Sequence, residues 1–241
     1  MIDDQFCTKE GSPVPAVTAD EMREVDRMAV EEFGIDILQM MENAGRSLAA
    51  EVIGAGKSSP VTVLAGAGGN GGGGLCCARH LLNHGFEVNV VLDHPRDELS
   101  TPAQRQLGIL KSSGLKTVKW ENREEKIGGA TVVVDALIGY GLKDSPRGKT
   151  LDLINTCGEI DSEIVSLDVP SGLDSTTGNS PGARIDPDRT LTLALPKVGL
   201  AEANGEILLL DIGIPAEVFN KLNIPYKSPF EERYIIKLLQ Q

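Results

Sequence analysis

Hydrophobic positions follow a helical period over the first part of the chain. Apolar residues recur at intervals of three or four from Met22 to Phe33, directly after the capping-box pair Thr18 and Glu21. This pattern predicts a helix that begins at residue 18 and ends near Gly34. A second apolar stripe along 37–53 stops at two glycines and predicts a second helix.

From residue 61 the pattern changes to short aliphatic runs separated by segments of helix length. The predicted strands cover 61–66, 86–93, 116–120, 131–139, 163–172, 189–195 and 206–214, with helices at 75–85, from Ser100 or Thr101, and around 149–159. Most of these runs are nearly continuous in Val, Ile and Leu, which is typical of strands covered on both faces. The sequence therefore predicts an α/β fold with a mainly parallel sheet between helix layers.

The chain shows neither a linker nor an internal repeat after its first residues. Its 241 residues suit one sizeable domain, so we predict a single domain over 18–241. Residues 1–17 carry few charges and contain two prolines. We expect them to form a loosely ordered lead-in.

The charge balance excludes some classes of partner. There are 23 Lys and Arg residues against 35 Asp and Glu, a net charge of −12. An acidic surface without a basic run repels phosphate backbones, so nucleic acid is not an expected partner. No apolar run approaches the ~20 residues of a membrane span, and the polar N-terminus does not resemble a signal peptide. We therefore expect a cytoplasmic protein that does not bind membranes.

Cysteine and histidine give little sign of a metal site. Cys7, Cys76, Cys77 and Cys157 are too few for a disulfide framework and lack metal-knuckle spacing, so we predict buried, reduced thiols. His80 and His84 lie one helical turn apart without an evident carboxylate companion. We interpret them as part of a helix face.

Glycine is the unusual component of the composition, at 27 of 241 residues. Many of these glycines fall in three segments that follow predicted strands, at 66–74, 135–144 and 168–175. Ligands of parallel sheets bind beyond the carboxyl ends of the strands, where such segments converge. These three segments are therefore the candidate functional site.

The first segment leads from a strand into a helix. Gly66, Gly68 and Gly71 match G-x-G-x-x-G, and Asp93 ends the next predicted strand, where a dinucleotide fold places its ribose-binding acid. Backbone N–H groups at such a turn favour a phosphate. The alternative is a tight turn that needs glycine for its conformation and binds nothing.

The other two segments offer oxygen ligands. Asp135 ends an apolar strand, and Asp168, Ser171 and Asp174 provide two carboxylates and a hydroxyl. Without a nearby Cys or His cluster, an alkali or alkaline-earth ion fits better than zinc. Two alternatives remain open: Asp135 caps the next helix, and the later residues form an Asx or Ser turn.

Several motifs, taken together and in order, resemble the YjeF N-terminal domain family, the NAD(P)HX epimerases. They are MMENAG at 40–45, the glycine segment, VVVDALIGYG at 132–141, SLDVPSGLDS at 166–175 and ALPKVGL at 194–200. The resemblance implies a Rossmann-like three-layer α/β/α fold with two N-terminal helices, commonly a homodimer. It also implies an isomerase of cofactor repair, which interconverts the R and S hydrates of NADH and NADPH for a separate dehydratase.

The resemblance further implies particular site residues. It assigns a potassium ion to Asn70, Asp135 and Ser171, and we expect Asp168 to be the catalytic acid–base group. The hydrated dinucleotide is expected to contact Gly69, Asn70, Gly71, Gly72, Gly73, Gly139, Tyr140, Gly141, Leu142, Lys143, Asp144, Ser145 and Asp168. Lys197 either lies near this site or is an ordinary surface charge.

The glycine segment departs from the family pattern at two positions. The family carries an asparagine and an aspartate where this chain has Gly69 and Gly73. A non-catalytic nucleotide-binding or dimeric scaffold module on the same fold is therefore the alternative function. An oxidoreductase that uses the G-x-G-x-x-G segment is a further alternative, which no catalytic residue supports.

Overall fold

One mixed sheet forms the centre of the molecule in the computed structural model, which describes residues 5–56 and 59–241. Its strands are β1 (Phe6–Thr8), β2 (Pro13–Val14), β3 (Val61–Ala65), β4 (Val88–Leu92), β5 (Val132–Ala136), β6 (Glu163–Leu167), β7 (Arg189–Leu193), β8 (Glu206–Leu210) and β9 (Ile235–Gln240). The order across the sheet is β2-β1-β9-β8-β7-β6-β5-β3-β4. Strands β3 to β8 are parallel, whereas β9, β1 and β2 pair antiparallel at one end.

Helices cover the parallel strands on both faces. They are α1 (Ala19–Glu31), α2 (Ile37–Gly54), α3 (Gly69–Asn83), α4 (Thr101–Ser112), α5 (Arg123–Gly128), α6 (Gly148–Cys157) and α7 (Ala216–Lys221). Side chains alternate across β5: Val132 and Val134 join the core beneath α1 to α4, and Val133 joins the core beneath α5 and α6. This arrangement confirms the predicted α/β fold with a mainly parallel sheet between helix layers.

Helix starts agree closely with the sequence pattern. Thr18 and Glu21 form the predicted capping box at the start of α1, and Ser100 caps α4 with Pro102 in its first turn. None of the described helices has the combination of length and apolar character that a membrane span requires.

The strand predicted at 116–120 is wrong. Among the hydrogen bonds of the described residues, this segment reaches the neighbouring strand only through the N–H of Val118, at 2.8 Å from the carbonyl oxygen of Val90. Trp120 begins a short 3-10 turn. Cations of Arg123 and Lys149 lie over the Trp120 ring, at 4.4 and 4.9 Å from its centre. One hydrogen bond does not make a ladder, so β4 is the edge of the sheet.

The N-terminal segment also differs from the loosely ordered lead-in that the sequence predicts for residues 1–17. Residues 5–17 contain β1 and β2, which extend the sheet beyond β9, while residues 1–4 lie outside the described residues. Phe6 and Val14 are buried against Ile236 and Leu238 of β9. The short N-terminal strands are ordered because they complete this apolar cluster. The pattern did not predict β1, β2 or β9.

The glycine segment is mostly helix rather than loop. Helix α3 begins at Gly69, six residues before the predicted start. A Cβ at Gly71 would lie 1.8 Å from the carbonyl oxygen of Gly66, and a Cβ at Gly74 would lie 2.5 Å from the Cβ of Ala136. Glycine therefore serves close packing of this helix against the strand ends.

Candidate functional site

A cavity of about 710 Å³ opens at the carboxyl ends of the parallel strands. The segments that follow β3 to β7 contribute to its wall, and α1 and α2 add apolar residues such as Met22 and Met40. The strand order reverses at β3, with β4 on one side and β5 on the other. Doubly wound sheets bind ligands at such a reversal, so the cavity lies where the fold places a site.

The N-terminus of α3 forms one part of the cavity wall. Gly68, Gly69, Asn70 and Gly73 line it. In the described part of the chain, no side chain caps the first turn of this helix at Gly68. Uncapped N–H groups and the positive end of the helix dipole favour an anion such as a phosphate.

Asp168 and Lys197 form a buried ion pair in the cavity wall. The Nζ of Lys197 donates to Asp168 Oδ1 at 2.5 Å and to the carbonyl oxygen of Leu193 at 2.8 Å. The backbone N–H of Tyr140 donates to Asp168 Oδ2 at 3.0 Å. Asp168 adopts a φ of 68°, a left-handed conformation that is uncommon for a residue with a side chain. The surrounding contacts thus fix this carboxylate where the strand β6 ends.

Gly139 brings Asn70 and Asp168 to one place. A Cβ at residue 139 would lie 2.9 Å from Asp168 Oδ2 and 3.3 Å from Asn70 Oδ1. The amide of Asn70 also donates to the carbonyl oxygen of Leu167 at 3.1 Å. Glycine at position 139 therefore allows the segment after β5 to pass directly over both polar groups.

A second carboxyl, which the sequence did not single out, enters the cavity from α1. The hydroxyl of Tyr140 donates to Asp26 Oδ2 at 2.6 Å, and both residues line the cavity. Burial raises the pKa of Asp26, although the Tyr140 hydrogen bond and the Lys197 charge act against that rise. Burial and the Asp26 charge raise the pKa of the Tyr140 hydroxyl. Asp26 is thus more easily protonated than an exposed aspartate.

Asp135 and Ser171 are fully buried beside the cavity. Asp135 accepts hydrogen bonds from the Ser171 hydroxyl at 2.6 Å, from the Ser171 N–H at 2.9 Å and from the Ser166 hydroxyl at 2.8 Å. Burial raises the pKa of Asp135, and these hydrogen bonds act in the opposite direction. Ser171 also accepts from the N–H of Ile138, which lines the cavity. No charged side chain is among the donors to this carboxylate in the described part of the chain.

Asp93 lies in the same cavity with His94 and Thr150. Its carboxylate accepts from the Thr150 hydroxyl at 2.7 Å and lies 2.6 Å from His94 Nδ1. This is the position at the end of β4 where the motif predicts a ribose-binding acid. Sequence reasoning gave His94 no role, although the structure places it in the cavity.

The residues expected to contact the dinucleotide divide into those that line the cavity and those that do not. Those that line the cavity are Gly69, Asn70, Gly73, Gly139, Tyr140, Gly141, Lys143 and Asp168, whereas Gly71, Gly72, Leu142, Asp144 and Ser145 do not. Asp174 accepts from the N–H groups of Thr176 and Thr177, at 3.0 and 2.7 Å. That geometry is the Asx turn that the sequence left open as an alternative for this residue.

A separate cluster joins α2 and α3. Ligand atoms of Glu42, Cys76 and His80 lie within 4.8 Å of one another. The expectation that His80 lacks a carboxylate companion is wrong, because Glu42 Oε1 of the neighbouring helix lies 2.8 Å from its Nε2. The Arg79 guanidinium bonds to both Glu42 and the Cys76 sulfur, so two of these three groups already have a cationic partner.

The four cysteines are free and buried, as predicted. Burial raises the pKa of the Cys76 thiol to about 12, and the nearby Glu42 charge adds to this effect. A thiol with such a pKa stays protonated at neutral pH and is a poor nucleophile. The cysteines therefore belong to the packed interior.

Comparison with known proteins gives consistent relatives. Residues 37–199 match the sequence model described as YjeF-related protein N-terminus. The chain is 45% identical over 240 residues to the NAD(P)H-hydrate epimerase of Dehalogenimonas lykanthroporepellens, covering 97% of both chains. It is 33% identical over 218 residues to the NAD(P)H-hydrate epimerase of Rhodopirellula baltica, covering 88% of this chain and 89% of the relative.

Two further relatives extend this picture. The bifunctional NAD(P)H-hydrate repair enzyme Nnr of Salinibacter ruber is 36% identical over 228 residues, which are 86% of this chain but 42% of that enzyme. The crystal structure of yeast ynu0 superposes with a TM-score of 0.81 at 26% identity, covering 92% of this chain and 99% of the yeast chain. The Rossmann-like fold is therefore shared with a solved structure over nearly its whole length.

Proposed function

The chain belongs to the YjeF-related protein N-terminus family, and from this premise we propose that it is an NAD(P)H-hydrate epimerase. It interconverts the R and S forms of hydrated NADH and NADPH, and is thus an isomerase of cofactor repair. Relatives of this name match the chain over most of their length, at 33 to 45% identity. The observation that carries the proposal is the pair Asp168 and Lys197, held in a cavity beside the free N-terminus of α3.

The cavity suits the two ends of a hydrated dinucleotide. Its volume of about 710 Å³ falls within the usual range for small-ligand sites. The pyrophosphate lies at the N-terminus of α3, against residues 69–73, where helix N–H groups favour anions. Residues 139–145 contribute to the wall of the same cavity through Gly139 to Gly141 and Lys143. The hydrated nicotinamide ring then reaches Asp168.

Epimerisation requires proton transfer at the hydroxyl-bearing carbon of the ring. Either the hydroxyl leaves and returns on the other face, or the ring opens and closes. Asp168 is the group that accepts or donates this proton. Lys197 keeps the carboxylate in place and pairs it with a buried positive charge.

The site is also suited to a potassium ion on Asn70, Asp135 and Ser171. All three side chains offer oxygen, the ligand that hard cations prefer. Among the described residues, N–H and hydroxyl groups are the donors to the fully buried Asp135 carboxylate, so a bound cation would supply the charged partner that it lacks there. A bound potassium would neutralise Asp135 and hold the segments after β5 and β6 together.

The proposal also covers the oligomeric state of the protein and its cellular compartment. We expect a homodimer, which the family resemblance implies, in the cytoplasm, where four free buried cysteines remain reduced. Size-exclusion chromatography with light scattering tests the dimer. A single species with the mass of one 241-residue chain would contradict it.

The activity itself is tested with the purified protein and the R epimer of NADHX in potassium buffer. We expect the S epimer to form faster than in the spontaneous reaction, as followed by chromatographic separation of the two epimers. Binding of the hydrate without acceleration would overturn the proposal and favour a non-catalytic nucleotide-binding module. NADPHX, tested in parallel, shows which of the two hydrates is preferred.

A further inference from the structure

Two carboxyl groups approach the same cavity from different parts of the chain. Asp168 follows β6, and Asp26 lies on α1, more than a hundred residues earlier. Tyr140 joins them: its backbone N–H donates to Asp168 Oδ2 at 3.0 Å, and its hydroxyl donates to Asp26 Oδ2 at 2.6 Å. One residue therefore sets the spacing between the two carboxyls.

The two carboxyls have different surroundings. Asp168 is ion-paired with the buried Lys197 and accepts two backbone N–H groups, from Tyr140 and Leu193. Asp26 has one hydrogen-bond donor, the Tyr140 hydroxyl, among the residues the structure describes. Asp168 is therefore held by a buried cation and two N–H groups, whereas burial raises the pKa of Asp26 above that of an exposed aspartate.

We propose that Asp26 is a second catalytic acid–base group, which acts on the hydrated ring from α1 while Asp168 acts from β6. This inference rests on the proposed epimerase function. An epimerase must remove the hydroxyl from one face of a carbon and return it to the other face. Two separate proton-transfer groups provide this without turning the substrate within the site.

The reaction can be written with both groups. The Asp26 carboxylic acid gives its proton to the substrate hydroxyl, and the carbon–oxygen bond breaks as water leaves with the bonding electron pair. The electron pair of the adjacent ring nitrogen forms a double bond to that carbon. Water then adds to the opposite face, the nitrogen regains its electron pair, and the released proton goes to the Asp168 carboxylate. The reverse sequence converts the product back, and transfer of the proton from Asp168 to Asp26 through solvent restores the site for another forward turnover.

This chemistry requires one proton shared between the two carboxyls. Activity then falls at high pH, where Asp26 has lost the proton that it gives to the substrate. The groups that act on Asp26 are the Tyr140 hydroxyl and the Lys197 charge, which lower its pKa, and the Asp168 charge, which raises it. Arg23 of α1 also lines the cavity. Burial has the largest effect and raises the pKa of Asp26. The loss of activity at high pH, which is the high-pH limb of the pH–rate profile, is therefore assigned to deprotonation of Asp26.

Asp26→Asn is the direct test. We expect kcat to fall by roughly 10²-fold or more, with loss of the limb at high pH and little change in the dissociation constant of the hydrate. Glu24→Gln is the matched control, since Glu24 is an exposed carboxylate on the same helix that pairs with Arg27. It should behave as the unchanged protein does. Circular dichroism and thermal unfolding confirm that both variants fold.

Tyr140→Phe separates proton transfer from a structural role. Its lost hydrogen bond raises the pKa of Asp26, so the limb at high pH should move to higher pH. A purely structural Asp26–Tyr140 contact would lower stability without moving this limb. If the unchanged protein epimerises NADHX and Asp26→Asn retains its full rate and pH profile, Asp26 is not catalytic although the proposed function stands. If the unchanged protein itself is inactive, the proposed function fails first.

Discussion

Lys197 places a positive charge in the interior of the protein. Its side chain is 1% exposed and that of its partner Asp168 is 4% exposed, so neither charge is solvated by bulk water. Removal of one partner from such a pair leaves an uncompensated buried charge, which is more destabilising than removal of both. The pair is therefore both a candidate catalytic unit and a structural constraint on the segments after β6 and β7.

Lys197→Met should lower the free energy of unfolding by about 3–5 kcal/mol, because Asp168 would stay buried without its cation. Urea unfolding measures this loss. The double variant Lys197→Met/Asp168→Asn should recover a large part of it, since no charge is then left unpaired. Epimerase activity should be lost in both variants.

Lys237→Met is the control for this measurement. Lys237 pairs with Glu206 at the surface, with side chains 37% and 34% exposed. Surface pairs contribute about 0–1 kcal/mol, so the control should change stability little. Equal losses in the two lysine variants, or purely additive losses in the double variant, would contradict the buried-pair interpretation.

Residues in the strand-end motifs could be located from the sequence, and Asp26 could not. Asp135, Asp168 and Ser171 follow strands, and parallel strands bring their carboxyl ends to one edge. Asp26 belongs to a helix whose apolar period explains its neighbours, and its partner Tyr140 is distant in sequence. No local pattern reports that contact.

At the scale of elements, α3 is a helix although its first residues have a low helix propensity. Four consecutive glycines at 71–74 lie inside the helix, although each is about 1 kcal/mol less favourable than alanine in an unconstrained helix. Their propensity led to the expectation of a loop. The helix forms because its backbone packs against Gly66 and Ala136 more closely than any side chain would allow.

Gly71→Ala should therefore destabilise the protein by more than 1 kcal/mol, despite the gain in helix propensity. Its Cβ would lie 1.8 Å from the backbone oxygen of Gly66, and backbone cannot swing aside as a side chain can. Thermal unfolding followed by circular dichroism measures the effect. The N-terminus of α3 would also move away from β3, so binding of the hydrate should weaken.

Gly108→Ala is the matched control in α4. Apart from the neighbouring backbone of its own helix, no atom of the described residues lies within 4 Å of a Cβ at this position, so the substitution should stabilise the protein by about 0.5–1 kcal/mol. Stabilisation by both substitutions would show that close packing does not explain the glycines of α3.

Elements with a strong period were predictable, and those defined by distant partners were not. The pattern located α1, α2, α4 and the parallel strands β3 to β8 because each carries its own apolar signature. Strands β1 and β2 are three and two residues long, and they join the sheet through the pairing of β1 with β9. The strand predicted near Trp120 does not form, because its apolar residues make no ladder with any strand of the described residues.

At the scale of the whole molecule, the fold brings three segments that are distant in sequence together at one edge of the sheet. Ser171 joins two of them, since it bonds to both Asp135 and Ile138. The third segment, at the start of α3, contributes Asn70. A cation bound to these residues would link the segments after β3, β5 and β6, so its binding energy would add to the stability of the entire domain.

Potassium should therefore raise the thermal midpoint of unfolding more than tetramethylammonium does at the same ionic strength. At a concentration 100 times its dissociation constant, a ligand of the folded state adds about 2.7 kcal/mol. Asp135→Asn should abolish the difference between the two salts. Asp174→Asn, in the neighbouring Asx turn, should retain it, because Asp174 bonds to Thr176 and Thr177 of its own turn.

The stabilisation by potassium should also depend on pH, and the titration of Asp135 determines in which direction it changes. Burial raises the pKa of this carboxyl above its ordinary value, so protons compete with the cation at a higher pH than they would at an exposed aspartate. Stabilisation by potassium should be full above that raised pKa and should disappear as the pH falls through it. Thermal unfolding in potassium and tetramethylammonium salts across this range measures it. A potassium effect that persists unchanged at acid pH would place the ion elsewhere.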